Sequence, residues 1–170
     1  MKRTLLAGIL CLNALAMAQQ IRFDYDRSAN FSGYKTYRWT DGVAGRVPNQ
    51  LMDQNIKQAI DEQLAAKGLR RVESGGGLRV SYEAAIQQEK QFDGFGTGLR
   101  FNGTGRVTAS TIETGMLVVN LVDPARQQLV WSGTAEKTLD VKKDPNKNYR
   151  NLQKAMAKLF KNYPPESGKQ

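Results

Sequence analysis

Six acidic residues stand where strand or turn patterns would hold them: Asp24 and Asp26, then Glu83, Glu89, Asp93 and Glu113. Two carboxylates held at a fixed separation across a sugar ring can hydrolyse a glycosidic bond. Asp24 and Asp26 lie two apart, so on an extended chain they share its polar face. No spacing motif supports the pair further, and solvated charge explains it as well. Carboxylates are nonetheless the main chemistry left open. The chain has no histidine and one cysteine, Cys11. That removes the commonest general base, the commonest zinc ligand and every Ser-His or Cys-His nucleophile. We therefore expect no catalytic, cofactor-binding or metal-ligating residues, no cofactor, and no enzymatic activity.

Two further patterns touch on binding. Gly94-Phe95-Gly96-Thr97-Gly98 has the glycine density of a phosphate-cradling loop. Such loops need a helix N-terminus after them, and here strand patterns lie on both sides. A hairpin loop over Gly94–Gly105 fits better. Its Phe92, Phe95 and Phe101 either project as a contact surface or fold back on the sheet. Near the C-terminus Lys147, Arg150, Lys154, Lys158 and Lys161 recur at three- and four-residue steps. On a helix they form one basic stripe, suited to anionic lipid or an acidic partner, or simply solvated.

The N-terminus bears on where any of this happens. Met1, Lys2 and Arg3 precede an uncharged apolar run from Leu5 to Ala16, and Ala16-Met17-Ala18 follows. A positive start, a short apolar core and an A-x-A end make a secretory signal. The run is short of the roughly 20 residues that a membrane-spanning helix needs. Residues 1–18 read as a signal peptide recognised at Ala16 and Ala18, so that the mature chain begins at Gln19 and is not transmembrane. The expected location is periplasmic. The alternative is an outer-membrane lipoprotein anchored at Cys11, but Ile9 and Leu10 are not the small residues that a lipid-attachment box places before its cysteine.

Cleavage after Ala18 removes the only cysteine, hence any thiolate or iron–sulfur chemistry and any disulfide. A secreted chain resting on packing alone suits a bacterial envelope. The formal net charge of +9 loses Lys2 and Arg3 with the leader, leaving +7. Basic chains bind nucleic acid in the cytoplasm. Export turns the expectation to an envelope protein or an anionic envelope polymer or lipid surface, with no nucleic acid.

The elements that must position these residues follow from periodicity. Ile21–Tyr25 alternates as a strand, and Tyr34–Trp39 reads as a second, with Tyr37 and Trp39 on one face. Leu51–Lys67 carries Met52, Ile56, Ala59, Ile60 and Leu64 at helical spacing, capped by Asn49 and ended by Gly68. Leu69–Val72, Leu78–Gln88, Arg106–Ile112 and Met116–Val122 follow as strands. Met116–Val122 is apolar on both faces and reads as the most buried. Asp123-Pro124-Ala125-Arg126 turns into Gln128–Thr138. Asp144-Pro145 opens a final helix with Leu152, Ala155, Met156, Leu159 and Phe160 inward, ended by Tyr163-Pro164-Pro165. The order predicts an α+β fold: a single antiparallel sheet with two amphipathic helices packed on one face. Residues 19–165 form one domain, and 166–170 a loose tail.

Several segments together resemble a known family. They include Phe23-Asp24-Tyr25-Asp26, Ala29–Trp39 with its Asn-Phe-Ser-Gly-Tyr-Lys-Thr-Tyr core, Lys67-Gly68-Leu69, Gly115–Asp123, Leu129–Ala135 and Tyr163-Pro164-Pro165. The family is a bacterial envelope group catalogued as domain of unknown function 4136. The resemblance spans nearly the whole mature chain. It implies an exported protein of Gram-negative-type bacteria, often a lipoprotein, and supplies no activity, cofactor or catalytic residue. The chain departs from the family's pattern at Cys11, which lacks a lipid-attachment box. It also departs at Gly75-Gly76-Gly77, where relatives carry a Pro-Asp-type turn, and a looser turn is expected.

These readings converge on a non-enzymatic periplasmic binding or structural domain. The alternatives are a carboxylate-dependent hydrolase of cell-wall glycans, which needs two facing carboxylates, and a small-ligand carrier, which needs an apolar pocket between sheet and helices.

Overall fold

The computed structural model describes residues 20–40, 49–95, 106–139 and 144–165. Residues 1–18, with Ala16, Ala18 and Cys11, lie outside that range, as do Gln19, most of the Gly94–Gly105 stretch and the 166–170 tail.

The elements in chain order are β1 (Gln20–Tyr25), a single 3-10 turn (Phe31–Gly33), β2 (Thr36–Trp39), α1 (Gln50–Ala66), β3 (Arg70–Arg71), β4 (Leu78–Phe95), β5 (Arg106–Asp123), β6 (Gln128–Leu139) and α2 (Pro145–Phe160). They build one six-stranded sheet in the order β1-β6-β5-β4-β2-β3.

The sheet is mixed, which corrects the expected single antiparallel sheet. β1, β6, β5 and β4 pair antiparallel, but β2 runs parallel to both β4 and β3. The cause is α1. Its 17 residues carry the chain about 26 Å at 1.5 Å per residue, back towards the end where β2 began. The strands after such a crossover run in the same direction as the strand before it. β3 and β4 then flank β2 on opposite sides, with Arg71 and Leu78 both opposite Tyr37. The six residues between them must cross the backbone of β2. Gly75-Gly76-Gly77 makes that crossing. Gly76 has φ +90, and a Cβ there would stand 3.3 Å from Val72 Cγ2 and 3.4 Å from the Tyr37 carbonyl carbon. Only glycine takes both the positive φ and the close approach without strain.

α1 starts where Asn49 accepts a hydrogen bond from Met52 N at 2.9 Å. It ends in a Schellman motif, with Gly68 at φ +82, Leu69 N donating to Leu64 O and Gly68 N donating to Ala65 O. α2 starts where Asp144 accepts from Asn146 N, with Pro145 in the first turn. Both cap residues are those the sequence pattern marks.

One face of the sheet holds the core. Leu78, Val80, Tyr82, Leu117, Val119, Leu121, Trp131 and Ala135 meet Ile56, Ala59, Ile60 and Leu64 of α1 and Ala155, Met156, Leu159 and Phe160 of α2. Trp131 stacks on Phe160 at 5.2 Å between ring centroids, and Tyr163 meets Trp131 edge-on at 5.7 Å. Gly133 lets α2 come this close: a Cβ there would fall 2.3 Å from Trp131 and 2.7 Å from Leu159. β5 is not buried on both faces as its sequence suggests. Leu117, Val119 and Leu121 are buried, whereas Met116, Val118 and Val122 on the other face are only half-buried.

Candidate functional site

The helix layer carries the densest polar network. Asp61 of α1 accepts from Tyr37 OH at 2.6 Å, Trp39 Nε1 at 3.0 Å and Arg71 Nη1 at 3.1 Å. Two helical turns earlier Asp53 accepts from Tyr82 OH and from Lys57 Nζ. Lys57 lies over the Trp39 ring, 5.9 Å from its centroid, and Trp39 meets Tyr82 edge-on. Burial and then the bond to Asp61 push the Tyr37 hydroxyl well above its ordinary pKa, and burial with Asp53 does the same for Tyr82. Burial alone would raise the Asp53 carboxyl, but the donors Tyr82 and Lys57 outweigh it and leave it below the usual value. Both tyrosines are thus fixed as neutral donors, and the two carboxylates clamp α1 onto β2 and β4. This is a structural lock. Sequence reasoning missed it because its partners lie on different elements.

A second cluster ties the β5–β6 turn to the segment after β1. Asp123 accepts from Tyr34 OH at 2.9 Å and from the backbone of Ala125 and Arg126. Arg126 reaches Asp26 and Ser28, each at 3.1 Å. Asp26 also accepts from Ser28 N and Oγ, and these bonds, with Arg126, hold its carboxyl below the ordinary range.

The six candidate carboxylates are not brought together. Asp26 is used by this turn. Asp24 and Glu83 face the side of the sheet away from the helices, on β1 and β4. Those strands are three strand spacings apart, about 14 Å at 4.8 Å each, against the roughly 5–9.5 Å of glycosidase pairs. Glu113 accepts from Gln88 across β4–β5. Glu89 lies one residue beyond Gln88 towards the hairpin's far end, and Asp93 three pairs beyond Lys90. Among the described residues no cluster of His, Cys, Asp or Glu fit to hold a metal is found. The interior between sheet and helices, which a carrier would need, is filled by Tyr37, Tyr82, Trp131, Phe160 and Tyr163.

The basic stripe is placed as its spacing requires. Lys147, Arg150, Lys154, Lys158 and Lys161 are all exposed, opposite the buried face of α2. None has an ion-pair partner among the described residues.

The third feature is the β4–β5 hairpin. Each strand has 18 residues, paired from Arg79↔Val122 to Phe95↔Arg106. Its neighbours stop early. β2 reaches only Val80 of β4, and β6 only Glu113 of β5. Glu89–Phe95 and Arg106–Ile112 therefore pair only with each other among the described residues, a two-stranded ribbon about 23 Å long at 3.3 Å per residue. Gly94 and Phe95 belong to this ribbon, and Phe92 lies on it. Phe101 falls outside the described residues. No described helix is long and apolar enough to cross a membrane.

A family model described as "Domain of unknown function (DUF4136)" matches residues 21–165. No curated protein matches the chain. Among solved structures, the PelC dodecamer from Paraburkholderia phytofirmans superposes with a TM-score of 0.53 at 14% identity, over 84% of this chain and 95% of that one. A PDZ domain protein from Parabacteroides distasonis superposes with a TM-score of 0.58 at 13% identity, over 87% of this chain but 36% of that one. At such identities the likeness is one of fold. By the family match over nearly the whole described range, the chain belongs to the DUF4136 family.

Proposed function

We propose that this member of the family is an exported, non-enzymatic interaction domain of the bacterial envelope, cleaved after Ala18, whose working part is the β4–β5 ribbon. The partner it pairs with is a second copy of the chain.

The observation that carries this reading is the mismatch in strand length. β4 and β5 run to Phe95 and Arg106 while the strands beside them end at Val80 and Glu113. A two-stranded ribbon is marginally stable alone. Its free edges present unpaired N–H and C=O groups that another strand can complete. The core does not need this length, so the length serves contact outside the domain. The PelC structure of similar fold is described as a dodecamer, and self-association is carried from it to this chain only as part of the proposal. Export rests on the leader pattern and the family resemblance. The non-enzymatic part rests on the absence of histidine from the sequence and on the dispersal of the candidate carboxylates.

Light scattering on the chain from Gln19 to Gln170 tests it. The companion is a variant in which Gln88 and Glu113, a paired position, are joined through Asn-Gly, a two-residue hairpin turn. The wild type should form a defined oligomer. The shortened chain should be a folded monomer with near-unchanged thermal stability. A monomeric wild type, or a shortened variant that assembles equally well, contradicts the proposal.

A further inference from the structure

The two helices lie side by side on one face of the sheet and treat charge in opposite ways. On α1 the acids turn inward or sideways. Asp53 and Asp61 are held by Tyr82, Tyr37, Trp39, Lys57 and Arg71, and Glu62 accepts from Tyr149 and Gln153 of α2. α2 contains no acidic residue between Pro145 and Phe160. Its cations, with Lys161 just past its end, occupy roughly 80° of arc over about 21 Å at 3.6 residues per turn and 1.5 Å rise. They stand opposite the face that buries Ala155, Met156, Leu159 and Phe160. Successive members are three or four residues apart, so like charges repel along the whole stripe. The fold leaves that repulsion uncompensated, although an acid at Asn151 or Ala157 would relieve it at no cost to the core.

We infer that this stripe docks the domain on an anionic lipid surface through headgroup phosphates. The chemistry separates this occupant from an acidic protein. Protein interfaces draw their energy from aromatic, apolar and Arg anchors in dry pockets and are depleted in Lys. The outward face of α2 has Asn151 and Ala157 between its cations and offers no such anchor. Four of the five cations are Lys, hydrated point charges on flexible stems rather than rigid forks. A row of lysines gains affinity for a charged bilayer from charge alone, about 1 kcal/mol per residue near the surface. The inference rests on the envelope reading only for which membrane is met; the binding itself is read without it and without the ribbon.

The experiment is co-sedimentation of the chain from Gln19 with vesicles of equal phosphatidylglycerol and phosphatidylcholine, and with phosphatidylcholine alone. Binding is expected to the first and not the second, and to fall steeply with salt. Lys154→Gln with Lys158→Gln should lower it about 25-fold, or fivefold per charge, and Lys154→Arg with Lys158→Arg should restore it. Both positions are exposed, and an unchanged melting temperature confirms folding. Equal binding to both vesicles, or a glutamine pair that binds as wild type, overturns the inference. Absent vesicle binding alongside tight, salt-sensitive binding to poly-glutamate also overturns it, in favour of an acidic protein.

Discussion

The base and the far part of the β4–β5 hairpin share two strands, one continuous register and little else. At the base, Leu78, Val80, Tyr82, Leu117, Val119 and Leu121 are buried under α1 and α2, and β2 and β6 pair with the outer edges. Further along the same face cover runs out: Ala84 is half-buried and Ile86 is 44% exposed. Beyond Glu89 and Ile112 the two strands pair only with each other among the described residues. The base is held by burial, the ribbon by its own ladder. On the function proposed above, strand length past the core's reach serves contact outside the domain, and the contrast can be broken by experiments that strike one part and spare the other.

The largest effect should come from the base. Leu121→Ala removes a fully buried side chain and should cost about 3 kcal/mol in urea unfolding, from lost burial plus the cavity left. Asp61→Ala strands two part-buried donors, Tyr37 OH and Trp39 Nε1, and should cost about 2 kcal/mol. A smaller, graded loss should follow acidification. Asp26, Asp53, Glu62 and Asp123 all sit below their ordinary values of 3.8 and 4.5. A carboxyl lowered in the folded state contributes stability that is present above its unfolded pKa and lost as pH falls through the folded one. Urea midpoints should therefore hold steady from neutral pH to about pH 5 and fall below about pH 4. A midpoint flat to lower pH would show that these contacts contribute nothing. The smallest effect on stability should come from the ribbon. Joining Gln88 to Glu113 should change unfolding by less than about 1 kcal/mol, since no packed core is removed, while abolishing assembly.

How much of this was legible in the sequence follows from range. The ends of α1 and α2 were, because Asn49, Gly68, Asp144 and Pro145 act within one turn of themselves. The basic stripe was, because one helix carries all of it. The parallel pairing was not: strand direction depends on where α1 delivers the chain, and hydrophobic alternation reads the same either way. Nothing local marks Asp53 and Asp61, because their donors, Tyr82, Tyr37 and Trp39, lie 29, 24 and 22 positions away. The ribbon was cut short at Gln88 for a physical reason. Alternation marks a strand only where one face is covered, and Gln87-Gln88-Glu89-Lys90 runs on after the cover ends. The triple glycine was read as a looser turn, since nothing local shows that it crosses β2.

The most direct test of the central claim is amide hydrogen exchange along β4 at two protein concentrations. In an isolated hairpin the amides of 89–95 that point away from β5 are open to water. If copies pair through this edge, those amides should slow markedly at high concentration and exchange freely on dilution, while buried amides near Val80 and Val119 stay unchanged. Outward amides that exchange freely at every concentration would contradict it and leave the ribbon without a partner strand.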